Sequence, residues 1–185
     1  GTYSELLFAG NVGLAAYTKA AGGGLYVARR AARTGSTADW LETEILPGQN
    51  AGPAPNQGFK IGERIRMARA TNGTVGLIAH VAADADGAVV NDLYYFSSPD
   101  QGLTWEGPEL VDDPIINLGF FPTLAFDSQS RPAAAYYVCG AGNGCGNASD
   151  SVRYAWRADT GVWYTWDVHK NAGTKTGWFP GLVLD

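Results

Sequence analysis

SSPDQGLTW, residues 97–105, follows the strand-like run NDLYYF and places Ser98, Asp100, Gly102, Thr104 and Trp105 at short fixed spacings. Each residue type suits a tight connection. An aspartate accepts backbone N–H bonds within its own turn. A glycine takes positive φ without a Cβ clash. A tryptophan placed just after the turn can fold back and bury a large apolar area. The spacing predicts a hairpin between two strands, with Asp100 holding the turn and Trp105 packing between sheets.

The surroundings of this turn recur along the chain. WLETEIL begins at Trp40, WEGPELV at Trp105 and WYTWDVH at Trp163, so the tryptophans are 65 and 58 residues apart. Each is followed four places on by an acid (Glu44, Glu109, Asp167) and then by an aliphatic residue (Ile45, Leu110, Val168). Before each tryptophan lies a strand-like run: GLYVARR, DLYYFSS or SVRYAWR. Before that come GLAAYT, GLIAHV and PAAAYYV, and each unit opens with an apolar stretch and a turn. A fourth opening, FPGLVLD, starts at Phe179, 58 residues after Phe121.

Four short strands repeated at such a period predict an all-β chain of β-propeller blades, each a four-stranded antiparallel sheet. Burial is the reason. A lone antiparallel sheet leaves an apolar face wet, and sheets stacked around an axis cover one another. The expected units are residues 1–58, 59–117 and 118–176, with the first strand of a fourth over 177–185, together one partial propeller domain.

Ser-x-Asp-x-Gly-x-Thr-Trp at residues 98–105 resembles the Asp-box, or BNR repeat, of sialidase-like β-propellers. ADTGVW is a degenerate copy that keeps Asp159, Gly161 and Trp163, and STADW keeps less. The resemblance implies that these boxes lie on the outer rim, hold turns and do no chemistry. It also implies an enzyme to test. Sialidases bind a substrate carboxylate with an arginine cluster and use a Tyr–Glu nucleophile pair with an aspartate acid/base, departing from the usual two-carboxylate scheme. Their first arginine lies in Arg-Ile-Pro. Here Arg64 and Ile65 match, but Arg66 replaces the proline. Asp84 and Asp86, in AADADG, fall in the region expected for the acid/base.

The same residues have plainer readings. Arg64, Arg66 and Arg69 suit the solvated face of a strand. DADG suits a turn, and as a calcium loop it lacks the remaining ligands. No later arginines and no Tyr–Glu pair can be assigned. His80 and His169, the two histidines, lie in different units, and His80 stands where the other units carry tyrosine. AAGGGLY feeds a strand, whereas a phosphate loop would feed a helix N-terminus. No catalytic set, metal site or cofactor motif is legible, so the chain alone is read as a binding or structural module.

Composition narrows the partners. The 185 residues include 25 glycines, 12% aromatic and 17% charged residues, with a net charge of −5. An acidic chain without a basic stripe is not expected to bind nucleic acid. No apolar run approaches the ~18 residues that span a bilayer. Cys139 and Cys145, in CGAGNGC, are close enough to pair, and two thiolates fall short of a zinc ligand set. A disulfide predicts an extracellular, periplasmic or cell-surface protein. Asn72 and Asn147 lie in glycosylation sequons.

Propellers usually close with four to eight blades. The chain is therefore expected to be a fragment, or a part whose ring is completed by missing blades of the same longer protein or by other chains. The expected role is a binding or interaction module for a carbohydrate or protein. The alternatives are part of a sialidase-like hydrolase, or a subunit of a larger extracellular assembly.

Overall fold

The computed structural model describes residues 4–19, 23–31, 39–48, 60–83, 89–112, 117–139, 150–170 and 179–184. Twelve strands form three four-stranded antiparallel sheets, each a simple meander. The first holds β1 (Ser4–Ala9), β2 (Val12–Thr18), β3 (Leu25–Arg30) and β4 (Leu41–Leu46). The second holds β5 (Lys60–Arg69), β6 (Val75–Ala83), β7 (Val89–Ser98) and β8 (Glu106–Asp112). The third holds β9 (Asn117–Phe126), β10 (Pro132–Cys139), β11 (Ser151–Arg157) and β12 (Trp163–Lys170). Residues 179–184, expected as a further strand, pair with no strand among the described residues. They nevertheless keep a period of two, with Pro180, Leu182 and Leu184 half-buried and Phe179, Gly181 and Val183 exposed.

The sheets stack face on face. Leu14, Ala16, Leu25 and Val27 of the first sheet meet Ile65, Met67, Leu77, Ala79, Val81 and Phe96 of the second. The opposite face of the second sheet, with Ile78, Leu93, Tyr95 and Val111, meets Leu118, Leu124, Tyr136, Val138 and Ala155 of the third. Consecutive residues of β6 thus point into two different cores, and Leu77, Ile78, Ala79 and Val81 are all fully buried. A strand covered on both faces reads as a continuous apolar run, which is why GLIAHV shows no alternation. The first strands are neighbours: β1 lies beside β5, and β5 beside β9.

Close approach of the sheets depends on small residues. A Cβ on Gly76 would lie 2.7 Å from the Phe126 ring and 3.0 Å from Tyr95. Polar ties cross the same boundaries. Arg66 Nη1 donates to Glu5 Oε2 at 3.0 Å, and Arg29 Nε to the Gln101 carbonyl at 3.0 Å. Ser130 Oγ meets Thr71 Oγ1 at 2.9 Å and accepts from Asn72 N–H.

Three short turns share one hydrogen-bond pattern. The N–H of Ala70, Asp127 and Ala158 donates to the carbonyl of Thr74, Arg131 and Val162, and Gly73, Ser130 and Gly161 donate back. The residue that donates back has positive φ in each (95°, 64° and 85°). A left-handed residue closing a short hairpin matches the twist of its strands.

Candidate functional site

In a meander of antiparallel strands, alternate connections lie at opposite ends. The Ser98–Trp105 turn lies at the end that also holds turns 70–74, 127–131 and 158–162. It is a closed hydrogen-bonded unit. Ser98 Oγ donates to Asp100 Oδ1 at 2.9 Å and accepts from Gly102 N–H at 2.7 Å. Asp100 also accepts from Thr104 N–H at 2.9 Å and from Thr104 Oγ1 at 2.6 Å. Burial pushes the Asp100 carboxyl up, but the bonds from Thr104, Ser98 and the Leu103 N–H outweigh it and hold it at about 2. Gly102, at φ 85°, lies against Leu14 of the first sheet, and Trp105 packs on the first core. Every polar atom of Asp100 is thus committed within the turn, leaving it no chemistry to offer a ligand.

The degenerate copy works differently. No hydrogen bond from Asp159 is present among the described residues, because the serine and threonine partners are replaced. Backbone bonds and Gly161 hold that turn. Trp163 packs on the second core and donates from Nε1 to Glu109 at 3.2 Å.

Arg64, in β5, has its guanidinium 5.2 Å from the Phe121 ring centroid and 4.6 Å from that of Phe179. The two rings are themselves 4.3 Å apart. Phe121 and Phe179, both followed by proline, share an unusual positive φ of 52° and 56°. Arg66, Arg131, Arg153 and Arg157 each hold a carboxylate, whereas Arg64 makes neither hydrogen bond nor ion pair among the described residues. Stacking on rings fixes the guanidinium plane and leaves its N–H edge for an acceptor. The sequence nominated Arg64 by itself, without Phe121 and Phe179. The 57- and 58-residue intervals separating Arg64, Phe121 and Phe179 were the available signal.

Asp84, Asp86, Cys145 and Asn147 lie outside the described residues. Cys139 ends β10, is buried and is not a free thiol. Asn72 caps its own turn, accepting from Thr74 N–H at 3.0 Å.

His80 is 1% exposed, with its ring 4.5 Å from that of Phe120. Burial pulls it down to about 4, against a smaller upward pull from its hydrogen bond with Asn91, so it is neutral at physiological pH. His169 is exposed on β12. The two are not brought into a common site.

Two networks escaped sequence reasoning. Asp112 Oδ2 accepts from the Tyr136 hydroxyl at 2.5 Å and from Arg153 Nη1 at 2.8 Å. Arg153 Nε reaches Asp167 at 3.0 Å, and Ser151 Oγ donates to the same oxygen. Nearby, the Tyr137 hydroxyl donates to buried Asp150 at 2.5 Å. Burial and the Asp112 charge push the Tyr136 phenol far up, so it serves as a protonated donor. In the second network Arg157 grips Glu109 with two bonds, 2.7 and 2.9 Å. That pair lines an open cleft of about 400 Å³ with Val111, Trp163 and Thr165. The acids repeated after each tryptophan were the clue: Glu44 accepts from Tyr26, Glu109 from Arg157 and Asp167 from Arg153.

Among the described residues no three His, Cys, Asp or Glu side chains group as metal ligands. No described helix is long and apolar enough to cross a membrane. No protein-family model matches the chain, and no curated protein matches it.

Proposed function

We propose that this chain is a β-propeller segment of the Asp-box type, serving an exported or cell-surface protein as a binding module. The observation that carries the reading is the meeting of Arg64, Phe121 and Phe179. These are corresponding positions of three successive repeats, and residues of one repeat position converge where repeated sheets share an axis. The neighbouring first strands β1, β5 and β9 and the face-to-face sheets are of a piece with this. Further sheets, from the same longer protein or from other chains, complete the ring.

The ligand is a glycan or protein that presents a carboxylate to the ring-stacked Arg64 guanidinium. A glycan array bearing uronic and sialic acids tests this. Binding is expected to acidic glycans and to be lost in Arg64→Ala, while Asp100→Ala binds normally at permissive temperature. Acidic-glycan binding that survives Arg64→Ala overturns the site.

Cys139 and Cys145 form a disulfide in this reading, and thiol labelling of the denatured, unreduced protein is expected to find no free cysteine. The second reading, part of a sialidase-like hydrolase, draws on the same ring-stacked Arg64. It requires release of a fluorogenic sialoside's leaving group by the chain, abolished by Arg64→Ala. We expect no such turnover, because Arg66, Arg131, Arg153 and Arg157 are each engaged by a carboxylate and do not join Arg64 in a cluster.

A further inference from the structure

The degenerate copy of the Ser98–Trp105 turn puts one of its positions to another use. Arg157 precedes Asp159 by two residues, as Ser98 precedes Asp100. Ser98 commits its hydroxyl inside its own turn. Arg157 instead crosses to the second sheet, where Nε and Nη2 hold Glu109 at 2.7 and 2.9 Å. Gly161 leaves room beside it: a Cβ there would lie 3.4 Å from Nη2. Both partners line the cleft of about 400 Å³, together with Leu110, Asp112, Trp163 and Thr165. Ligand sites run from about 300 to 1,000 Å³. The walls of this cleft are the second and third sheets themselves, so it does not depend on what lies beyond them.

A bulge aims two acids into it. Glu109 pairs with Tyr95 and Asp112 with Leu93, partners two apart on β7, although the acids are three apart on β8. The extra residue turns both carboxylates to the side of the third sheet, about 7 Å apart along the strand. Asp112 is nine-tenths buried, and its Oδ2 accepts from Tyr136 and Arg153. Its Oδ1 makes no hydrogen bond among the described residues, and neither do Arg157 Nη1 and the Thr165 hydroxyl.

The charges along the cleft are matched. Glu109 holds Arg157, Asp112 shares Arg153 with Asp167, and Lys170 adds its charge beside Asp167. A charged ligand would compete with one of these pairs, so the cleft suits a neutral one. It offers such a ligand an N–H donor at Arg157, an acceptor at Asp112 and, at Thr165, a hydroxyl that does either. Leu110 and Trp163 add apolar surface. A sugar hydroxyl both donates and accepts, and a pyranose carries several around one ring, with apolar C–H faces between them. An extended peptide is held by a row of strand-edge N–H and C=O groups, whereas the groups here are three separate side chains. Peptide amides left unpaired in the cleft would be costly to bury; unused sugar hydroxyls turn out to water through its open side.

We propose that this cleft binds a neutral saccharide, held by Arg157 Nη1, Thr165 Oγ1 and Asp112 Oδ1. The proposal rests on the reading of this chain as a binding module and adds a second site, between the outer strands of two sheets. The test follows the Trp163 indole N–H by NMR, on protein carrying isotope-labelled tryptophan, with the resonance assigned by its loss in Trp163→Phe. Cellobiose, mannobiose, galactobiose, xylobiose and chitobiose are titrated in turn. At least one is expected to shift this resonance saturably. Thr165→Phe, which fills the cleft, should abolish the response. Arg157→Lys keeps a charge for Glu109 but loses the second N–H edge, and should weaken binding about tenfold, the worth of one hydrogen bond to a charged group. Arg64→Ala should change nothing.

Thr165 is half-buried, and an unchanged thermal midpoint certifies that its variants fold. Thr165→Val, which keeps the shape and loses the hydroxyl, carries the test if phenylalanine is not accommodated, and should weaken binding about fivefold. Failure of every disaccharide to move the Trp163 resonance overturns the proposal, as does a response that persists unchanged in the folded Thr165 variants. A response to acetyl-trialanine amide and to no sugar overturns it in favour of a peptide. Acidic-glycan binding lost in Arg64→Ala, with no sugar response at Trp163, leaves the earlier reading standing while the cleft fails. The Trp163 response without acidic-glycan binding leaves the cleft standing alone.

Discussion

Asp100 holds its turn with both carboxylate oxygens, so its removal leaves the Thr104 N–H and the Ser98 hydroxyl without their acceptor. Asp100→Ala is expected to lower unfolding free energy by about 2 kcal/mol, as for hydrogen bonds to a charged group, measured by urea denaturation. The sign of its pH dependence follows from a carboxyl held at about 2 in the fold against an ordinary 3.8. Its stabilisation is complete above pH 4 and fades as pH falls toward about 2. In Asp100→Ala that part of the acid dependence is missing. His80 acts in a higher window. The folded protein holds it neutral down to about pH 4, while the unfolded chain takes up the proton near 6.5. Stability therefore falls as pH drops through that interval, and the gap between wild type and His80→Gln narrows with it. Urea midpoints for both proteins at several pH values check this. The role of Asp100 was legible in the residues because a turn is a local object. The neutrality of His80 was not, because it comes from Phe120 and a buried strand contributed by distant sequence.

Among the elements, two glycine substitutions separate packing from backbone strain. Gly76→Ala would push a methyl to 2.7 Å from the Phe126 ring where two sheets meet, at a cost of about 1–3 kcal/mol. Gly10→Ala meets nothing within 4 Å and bears only its φ of 69°, about 1 kcal/mol. Thermal midpoints should fall in that order, and equal losses would contradict the close approach of the sheets. The Glu109–Arg157 pair ties β8 to β11 with two bonds between half-buried groups. A double-mutant cycle with Glu109→Gln and Arg157→Ala should give a coupling of about 1 kcal/mol, discounted for solvent screening. The strand order could be read from the repeats because tryptophans and apolar runs recur at matching offsets. The polar networks could not: Asp112, Arg153 and Asp167 come from three strands of two sheets, and sequence spacing does not say which side chains face one another.

At the scale of the molecule, the repeats bring residues distant in sequence together. Arg64, Phe121 and Phe179 stand 57 and 58 residues apart in sequence, yet their side chains share one cluster. In the proposed propeller a fan of sheets about a common axis would account for this, since first strands would crowd together and last strands spread. The most direct test is a pair of spin-label distances. Leu6→Cys with Ala125→Cys labels the first strands β1 and β9, and Glu42→Cys with Tyr164→Cys labels the last strands β4 and β12. Measured by pulsed dipolar spectroscopy after dilution with unlabelled protein, the inner pair should be clearly closer than the outer pair. Equal separations, as for sheets stacked in parallel layers, would contradict the shared axis and with it the site at Arg64.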